Sequence, residues 1–240
     1  MPIALSVVIP FRDEAESLSR LHAELSAALP ADAFEAELIF VDDASRDAGP
    51  ALISDLAQRD SRIRLISLSP HVGQSGALEA GFRAALFPLV AMLDADLQND
   101  PADLPRLVSL LEQADCVCGV RVKRRDSAAI RLASRIANGL RQRALGDGVT
   151  DIGCSIRVMR AEYLDRVKLF RGGHRFLPAL LAVEGARVIE TPVAHRPRQH
   201  GHSKYSVWAR LKVVWADLLG VMWLARRVDR YEAKELNRRA

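Results

Sequence analysis

The 240-residue chain is 49% hydrophobic and 27% charged, the balance of a soluble globular protein long enough for one substantial core, which excludes a disordered or fibrous chain. Its net charge of +4 is uneven: residues 195–240 hold 11 Lys/Arg against 4 Asp/Glu (+7), leaving 23 against 26 (−3) for residues 1–194. A basic tail of this kind points to a membrane surface or to nucleic acid, and the absence of an aromatic stacking platform or a reading motif sets nucleic acid aside.

The first segment, "ALSVVIP", is a buried strand by its unbroken apolar run. It runs straight into charged residues, with no basic stretch and apolar region of a secretory leader, so a reducing, cytoplasmic setting is expected. "SLSRLHAELSAAL" reads as a helix, "ELIFVDD" as a strand, and "GPALISDLAQRD" as a second helix for which Ser45 is a candidate N-cap. Next come "IRLISLS" (strand), "SGALEAGFRAALF" (helix), "LVAMLDAD" (strand), "PADLPRLVSLLEQ" (a helix opened by Pro101) and "DCVCGVRV" (strand). Cys116 and Cys118 alternate along that strand and Cys154 stands alone, a spacing that fits neither a zinc site nor a disulfide framework; all three are expected to be buried apolar residues. Five strands with helical crossovers predict an α/β fold with a mostly parallel, twisted sheet and helices on both faces. Beyond residue 122 the sequence predicts a basic helix in "DSAAIRLASRIANGLRQRAL", a strand in "GCSIRVM", helices in "AEYLDRVKLF" and "RFLPALLAVEG", and a strand in "ARVIETPV", for which antiparallel attachment is an option.

In such sheets ligands bind beyond the carboxyl ends of the strands. Pro10-Phe11-Arg12-Asp13-Glu14, Asp42-Asp43-Ala44-Ser45 and Asp94-Ala95-Asp96-Leu97-Gln98 all leave strands at that rim. Helix capping is a plainer role for Asp42 and Asp43. It does not serve Asp94 and Asp96, which precede the Pro101 helix by too much. Asp94, Asp96 and Gln98 form a set of hard oxygens suited to Mg²⁺ or Mn²⁺, which bind through a few carboxylates and substrate phosphates.

Taken together, "VVIPFRDEAESL", "FVDDASRD", "HVGQSGALEAGF" and "MLDADLQNDP" resemble the nucleotide-sugar half of a family 2 glycosyltransferase of the GT-A fold. The longer "DADLQNDP" is closer to the polyprenyl-phosphate branch, similar to dolichyl-phosphate mannose synthase and the undecaprenyl-phosphate sugar transferases. That resemblance implies that Pro10, Glu14 and Asp43 hold base and ribose, with Arg12, Asp42, Gly73 and Asp94 also on the nucleotide side. It implies that Asp94, Asp96 and Gln98 hold the metal and the diphosphate. The first motif carries Arg12-Asp13 where the family more often has Tyr-Asn. "SRIAN", "DIGCSIRVMR" and "HRPRQHGHSKYS" extend the likeness to about Ser206 and assign Arg121, Arg135 and Arg198 to the acceptor phosphate, with Lys204 on one of the two phosphoryl groups.

The expected organisation is a GT-A domain over residues 1–204 (nucleotide-sugar half 1–122, acceptor half 123–204) followed by an amphipathic membrane-surface helix and basic tail over 205–240. Within that tail Trp208, Leu211, Trp215, Leu218 and Met222 form one helical stripe, and Trp223 follows, flanked by Arg and Lys. This is the mix expected of a helix lying in the headgroup region. The apolar stretch Val213–Ala225 is short of the ~20 residues that cross a bilayer.

The implied reaction is metal-dependent, inverting transfer of a sugar from a UDP- or GDP-sugar to a polyprenyl phosphate, by an enzyme peripheral on the inner face of the membrane. Self-association is compatible with all of this. Two alternatives stand beside it. One is a family 2 enzyme with a saccharide acceptor, for which Asp151 or another carboxylate would serve as base. The other is a non-catalytic membrane-surface adaptor with a transferase fold.

Overall fold

A computed structural model describes residues 1–121, 139, 142, 148–197 and 207–228, with only the backbone path for 207–215. The strands are β1 (Ile3–Phe11), β2 (Phe34–Asp42), β3 (Ile63–Ser67), β4 (Leu89–Met92), β5 (Cys116–Arg121), β6 (Arg157–Arg160) and β7 (Val188–Val193). The helices are α1 (Ala15–Ala28), α2 (Gly49–Ala57), α3 (Gln74–Ala84), α4 (Leu104–Ser109), α5 (Ala161–Leu164), α6 (Leu177–Val183) and α7 (Val207–Ala225). Among the described residues, seven strands form one sheet in the order β3-β2-β1-β4-β6-β5-β7.

The sheet is buried from both sides, which is why β1 and β2 read as apolar runs rather than alternations. Leu5, Val7 and Ile9 of β1 face one core layer, with Leu18, Leu21 and Leu25 of α1 and Ile53 of α2. Val8 faces the other, with Ala77 and Leu78 of α3 and Leu177 and Leu181 of α6. Gly81 lets α3 lie directly on the sheet, since a Cβ there would run into the Val8 side chain. All three cysteines are buried and unbridged, as their spacing predicts.

Several elements differ from the sequence reading. β7 runs parallel to β5, and the antiparallel strand is β6, inserted between β4 and β5. Strand direction depends on the end of the sheet from which the chain returns, and no local pattern encodes that. Ser45 does not cap α2. The N-cap position is Ala48, and the Ser45 hydroxyl instead accepts from the Asp13 N–H at 3.1 Å. The Pro101 helix opens as a 3₁₀ turn capped by Asp100, whose carboxylate accepts from Ala102 N–H. In "AEYLDRVKLF" only Ala161–Leu164 is helical. The basic helix expected over residues 126–145 lies outside the described residues save for Gly139 and Gln142.

The tail stripe also turns out differently where it is described. Leu218 is buried and Met222 packs beside it in the core layer shared with α6, so this part of the stripe faces the protein. Leu219 and Trp223 are exposed on the other side. Trp208 and Trp215 have side chains outside the described set. Among the described residues no helix is long and apolar enough to cross a membrane.

Candidate active site

The parallel register aligns Phe11 with Asp42 and Val8 with Met92, so β1, β2 and β4 deliver their following loops to one rim. Each of those loops contains one non-glycine residue at positive φ: Asp13 (56°), Ala44 (59°) and Leu97 (61°). They are the only such residues among those described, and left-handed conformations of this kind persist only where surrounding contacts hold them. The first two loops are laced together. Asp13 accepts from Arg46 N–H at 2.7 Å while Asp47 accepts from Ala15 N–H at 2.8 Å.

Between the loops lies a cleft of about 380 Å³ lined by Pro10, Phe11, Arg12, Glu14, Asp43, His71, Gln74, Ala77, Asp94, Ala95 and Asp96. Asp43 is buried and fixed: its two oxygens accept from Val72 and Gly73 N–H at 2.7 and 2.8 Å, and His71 Nδ1 lies 2.7 Å away. Gln74, the first residue of α3, donates to Asp94 Oδ1 at 2.6 Å. Arg12 has a buried Nε with no hydrogen-bond partner, 3.8 Å from an Asp13 oxygen.

The Asp94 carboxyl is pushed up to about 6, first by burial and then by the Asp96 carboxylate, against hydrogen bonding with Ser155, the charge of Arg157 and the hydrogen bond from Gln74. Two carboxylates held at a strand mouth in this way are stabilised by a divalent cation, and the hard-oxygen donors suit Mg²⁺ or Mn²⁺. No three His, Cys, Asp or Glu side chains converge as a metal cluster among the described residues, so a cation here would complete its shell with amide, water or phosphate oxygens. Gln98 lies around the Leu97 corner, its N–H on Asp96 Oδ1 at 3.2 Å.

At the end of β5, on the same rim, Arg121 forms a two-pronged ion pair with Asp151: Nε to Oδ2 and Nη2 to Oδ1, both 2.7 Å. Glu190 holds the Asp151 loop by accepting from the N–H groups of Thr150 and Asp151.

Of the residues singled out from sequence, Pro10, Arg12, Glu14, Asp43, Asp94 and Asp96 meet in the cleft. Asp42 turns away to accept from Ser45 N–H at 2.8 Å, and Gly73 borders the cleft through its bond to Asp43. Arg135, Arg198 and Lys204 lie outside the described residues. Sequence reasoning passed over His71, Gln74 and Ser155. The first two stand beside Gly73 at the start of a helix aimed at the rim, a signal that was available; Ser155 carried none, because β6 reaches β4 from far along the chain.

Residues 6–168 match the model of the family described as glycosyl transferase family 2. The chain is 38% identical over 230 residues to dodecaprenyl-phosphate galacturonate synthase of Rhizobium johnstonii, covering 93% of this chain and 68% of that protein. It is 40% identical over 223 residues to undecaprenyl-phosphate 4-deoxy-4-formamido-L-arabinose transferase of Pseudomonas fluorescens, covering 91% and 64%. It thus spans about two thirds of the length of the curated relatives it matches, from 64% to 68%. Among solved structures, glucosyl-3-phosphoglycerate synthase from Mycobacterium tuberculosis with Mn²⁺, UDP and phosphoglyceric acid superposes with a TM-score of 0.68 at 17% identity, over 95% of this chain and 80% of that one. A mannosyltransferase from Pyrobaculum calidifontis in complex with GDP-Man and Mn²⁺ gives 0.65 at 21%, over 97% and 66%. At these identities the likeness concerns the fold, which is GT-A. On the family match and the curated relatives, the chain belongs to glycosyl transferase family 2.

Proposed function

We propose that this protein transfers a sugar from a nucleotide diphosphate sugar to a polyprenyl phosphate at a membrane surface. The observation that carries the reading is the Asp94–Asp96 pair at the mouth of β4, facing a cleft that Pro10, Arg12, Glu14 and Asp43 close on the other side. Curated relatives named for polyprenyl-phosphate sugar synthesis or transfer support the acceptor class. In this reading residues 1–204 are the catalytic domain, with a nucleotide-sugar half (1–122) and an acceptor half (123–204), and residues 205–240 are a membrane-surface helix and tail on the cytoplasmic face.

Asp43, with both oxygens anchored on backbone N–H groups, presents a fixed edge to the base, and Pro10, Arg12 and Glu14 form the wall against base and ribose. A divalent cation held by Asp94, Asp96 and Gln98 would supply charge neutralisation to the leaving diphosphate. A phosphate oxygen of the acceptor forms the new bond to the anomeric carbon as the bond to the diphosphate oxygen breaks. The electron pair leaves with the nucleotide diphosphate. A single displacement inverts the anomeric centre. The attacking oxygen is already anionic near neutral pH, so no side chain has to take a proton. Arg121, Arg135, Arg198 and Lys204 are the cations proposed to steady the acceptor phosphate and its developing diester.

A saccharide acceptor would need a general base. The carboxylate offered for that role, Asp151, has both oxygens engaged by Arg121. The test is transfer of radiolabel from a panel of UDP- and GDP-sugars to short-chain polyprenyl phosphate with Mg²⁺ or Mn²⁺, with Asp96→Ala as control. Label in the organic phase, dependent on metal and lost in the variant, is the expected result; label only in free sugar or saccharide overturns it.

A further inference from the structure

Downstream of β7 the chain turns back along the metal-motif loop. His195 pairs with Asn99 as an isolated antiparallel bridge, and Arg196 N–H donates to Gln98 C=O at 2.8 Å. The Arg196 guanidinium then splits between two elements. One arm donates to Asp100 Oδ2 at 2.6 Å and the other to Glu24 Oε2 of α1 at 2.7 Å. One residue therefore grips the loop at Gln98 through its backbone and at Asp100 through its side chain.

The gripped segment is the one that needs holding. Leu97, between Asp96 and Gln98, is buried at φ 61°, a conformation that a γ-branched residue adopts only under constraint. From beneath, Asn99 is fixed by the Ser155 hydroxyl at 2.7 Å. From outside, the clasp is Arg196.

We propose that Arg196 is a positioning residue that keeps the Asp96–Asp100 turn in cation-binding shape, an inference that rests on the metal reading of Asp94, Asp96 and Gln98 given above. Arg196 touches neither Asp94 nor Asp96 in any bond described, and no carboxylate or amide ligand is lost when it is replaced. Its side chain and those of Glu24 and Asp100 are 27%, 21% and 26% exposed, so the fork is partly buried and open to water on one side, and its loss should cost the fold only modestly. Groups bonded directly to a metal ligand alter metal affinity by ~10–100-fold, and the Arg196 side chain, acting one step further out through Asp100, should fall at the low end of that range because a ligand held loosely must be ordered when the ion binds.

The experiment is Mn²⁺ titration of the purified full chain, followed by the electron paramagnetic resonance of free Mn²⁺, with and without UDP. Arg196→Ala should bind Mn²⁺ about tenfold more weakly, with a far-UV spectrum unchanged and a melting temperature within a few degrees of the wild type. Arg196→Lys should recover part of the affinity, since an ammonium keeps the charge but cannot bridge two carboxylates as a planar fork does. Glu24→Gln, on α1 and away from the loop, should weaken binding about twofold to threefold by slackening the fork's far anchor. Equal Mn²⁺ affinity in wild type and Arg196→Ala overturns the positioning role while leaving the proposed function intact. A wild-type protein that takes up no Mn²⁺ with or without UDP overturns the metal reading itself, and the inference with it. An Arg196→Ala protein that does not fold overturns it as well unless folded Glu24→Gln shows the selective loss.

Discussion

Arg121 and Asp151 face each other through two parallel hydrogen bonds of 2.7 Å, and a Cβ on Gly153 would press into the same guanidinium. A carboxylate so engaged is a poor general base and a good orienting partner. Asp151→Asn should therefore act on the acceptor step by loosening Arg121, with a higher acceptor KM and about 10–100-fold lower kcat/KM. The double variant Arg121→Ala/Asp151→Asn should be no worse than Arg121→Ala alone, because both changes break one unit. A base would behave otherwise: kcat would collapse with acceptor KM unchanged, and the two losses would multiply.

The raised Asp94 carboxyl predicts a conflict between stability and function. Its folded value of about 6 lies above the ordinary 3.8, so the folded protein holds the proton more tightly than the unfolded chain does. The Asp94 contribution to metal-free stability should thus fall as pH rises from about 4 to about 6, with the full penalty present above that window. Asp94→Asn removes the penalty and keeps an oxygen for the Gln74 amide. Urea unfolding at pH 7.5 without metal should show the variant more stable by about 1–3 kcal/mol, and its stability should decline more steeply than the wild type's as pH falls from about 6 to about 4, because the offsetting gain from Asp94 is gone. Transfer and Mn²⁺ binding should drop at least ~100-fold.

The opposite sign applies to His174. Burial, and then Arg175 and Arg157, hold its imidazole down at about 3, against an ordinary 6.5. The Ser75 hydroxyl accepts from Gly172 and His174 N–H at 3.1 and 3.3 Å, which leaves its proton for His174 Nδ1 at 2.8 Å. The imidazole is therefore an acceptor at Nδ1 and stays neutral. This contribution to stability is complete above pH 6.5 and is lost progressively as pH falls toward 3, where the unfolded chain takes up the proton first. His174→Asn keeps an acceptor facing Ser75 and cannot charge. Thermal melts from pH 7.5 to 4 should show a shallower acid decline for the variant than for the wild type.

Alternating apolar runs and helical periods made most of the sheet and its two covered faces legible, because β1, β2 and β4 are buried on both sides and say so in their composition. The same periods could not tell that β6 enters antiparallel between β4 and β5. Long-range partners were equally hidden. Ser45 looks like an N-cap until Asp13 is brought to it, and nothing near Arg196 in sequence announces Glu24 or Asp100. Within the cleft, the carboxylates stood out because charged residues ending apolar strands need a reason. Gln74 and His71 were easier to pass over, since polar residues around a helix start are commonplace, and only their place beside Gly73, before a helix aimed at the rim, marks them. The tail stripe shows a further limit: a 3–4 spacing marks an apolar face, but a helix clothed in apolar residues on two sides does not say which one the protein takes. Leu218 and Met222 went inward, leaving Leu219 and Trp223 outward.

That outward face carries the last prediction. Trp223 is 60% and Leu219 62% exposed, and the Arg227 guanidinium sits 5.2 Å from the Trp223 ring, an aromatic body with a cation beside it. Such a group suits the headgroup region, where the indole meets acyl chains and arginine meets phosphate. Burying the two side chains is worth roughly 1–2 kcal/mol each at about 25 cal/mol/Å². The double variant Leu219→Ala/Trp223→Ala should therefore bind vesicles containing anionic lipid at least ~10-fold more weakly in flotation, with an unchanged melting temperature because neither side chain supports the core. Adding salt should weaken the wild type in part, through the arginines, while the apolar share persists. Vesicle binding that survives the double substitution but vanishes with salt would leave the basic tail as the sole anchor and remove α7's outward face from the membrane reading.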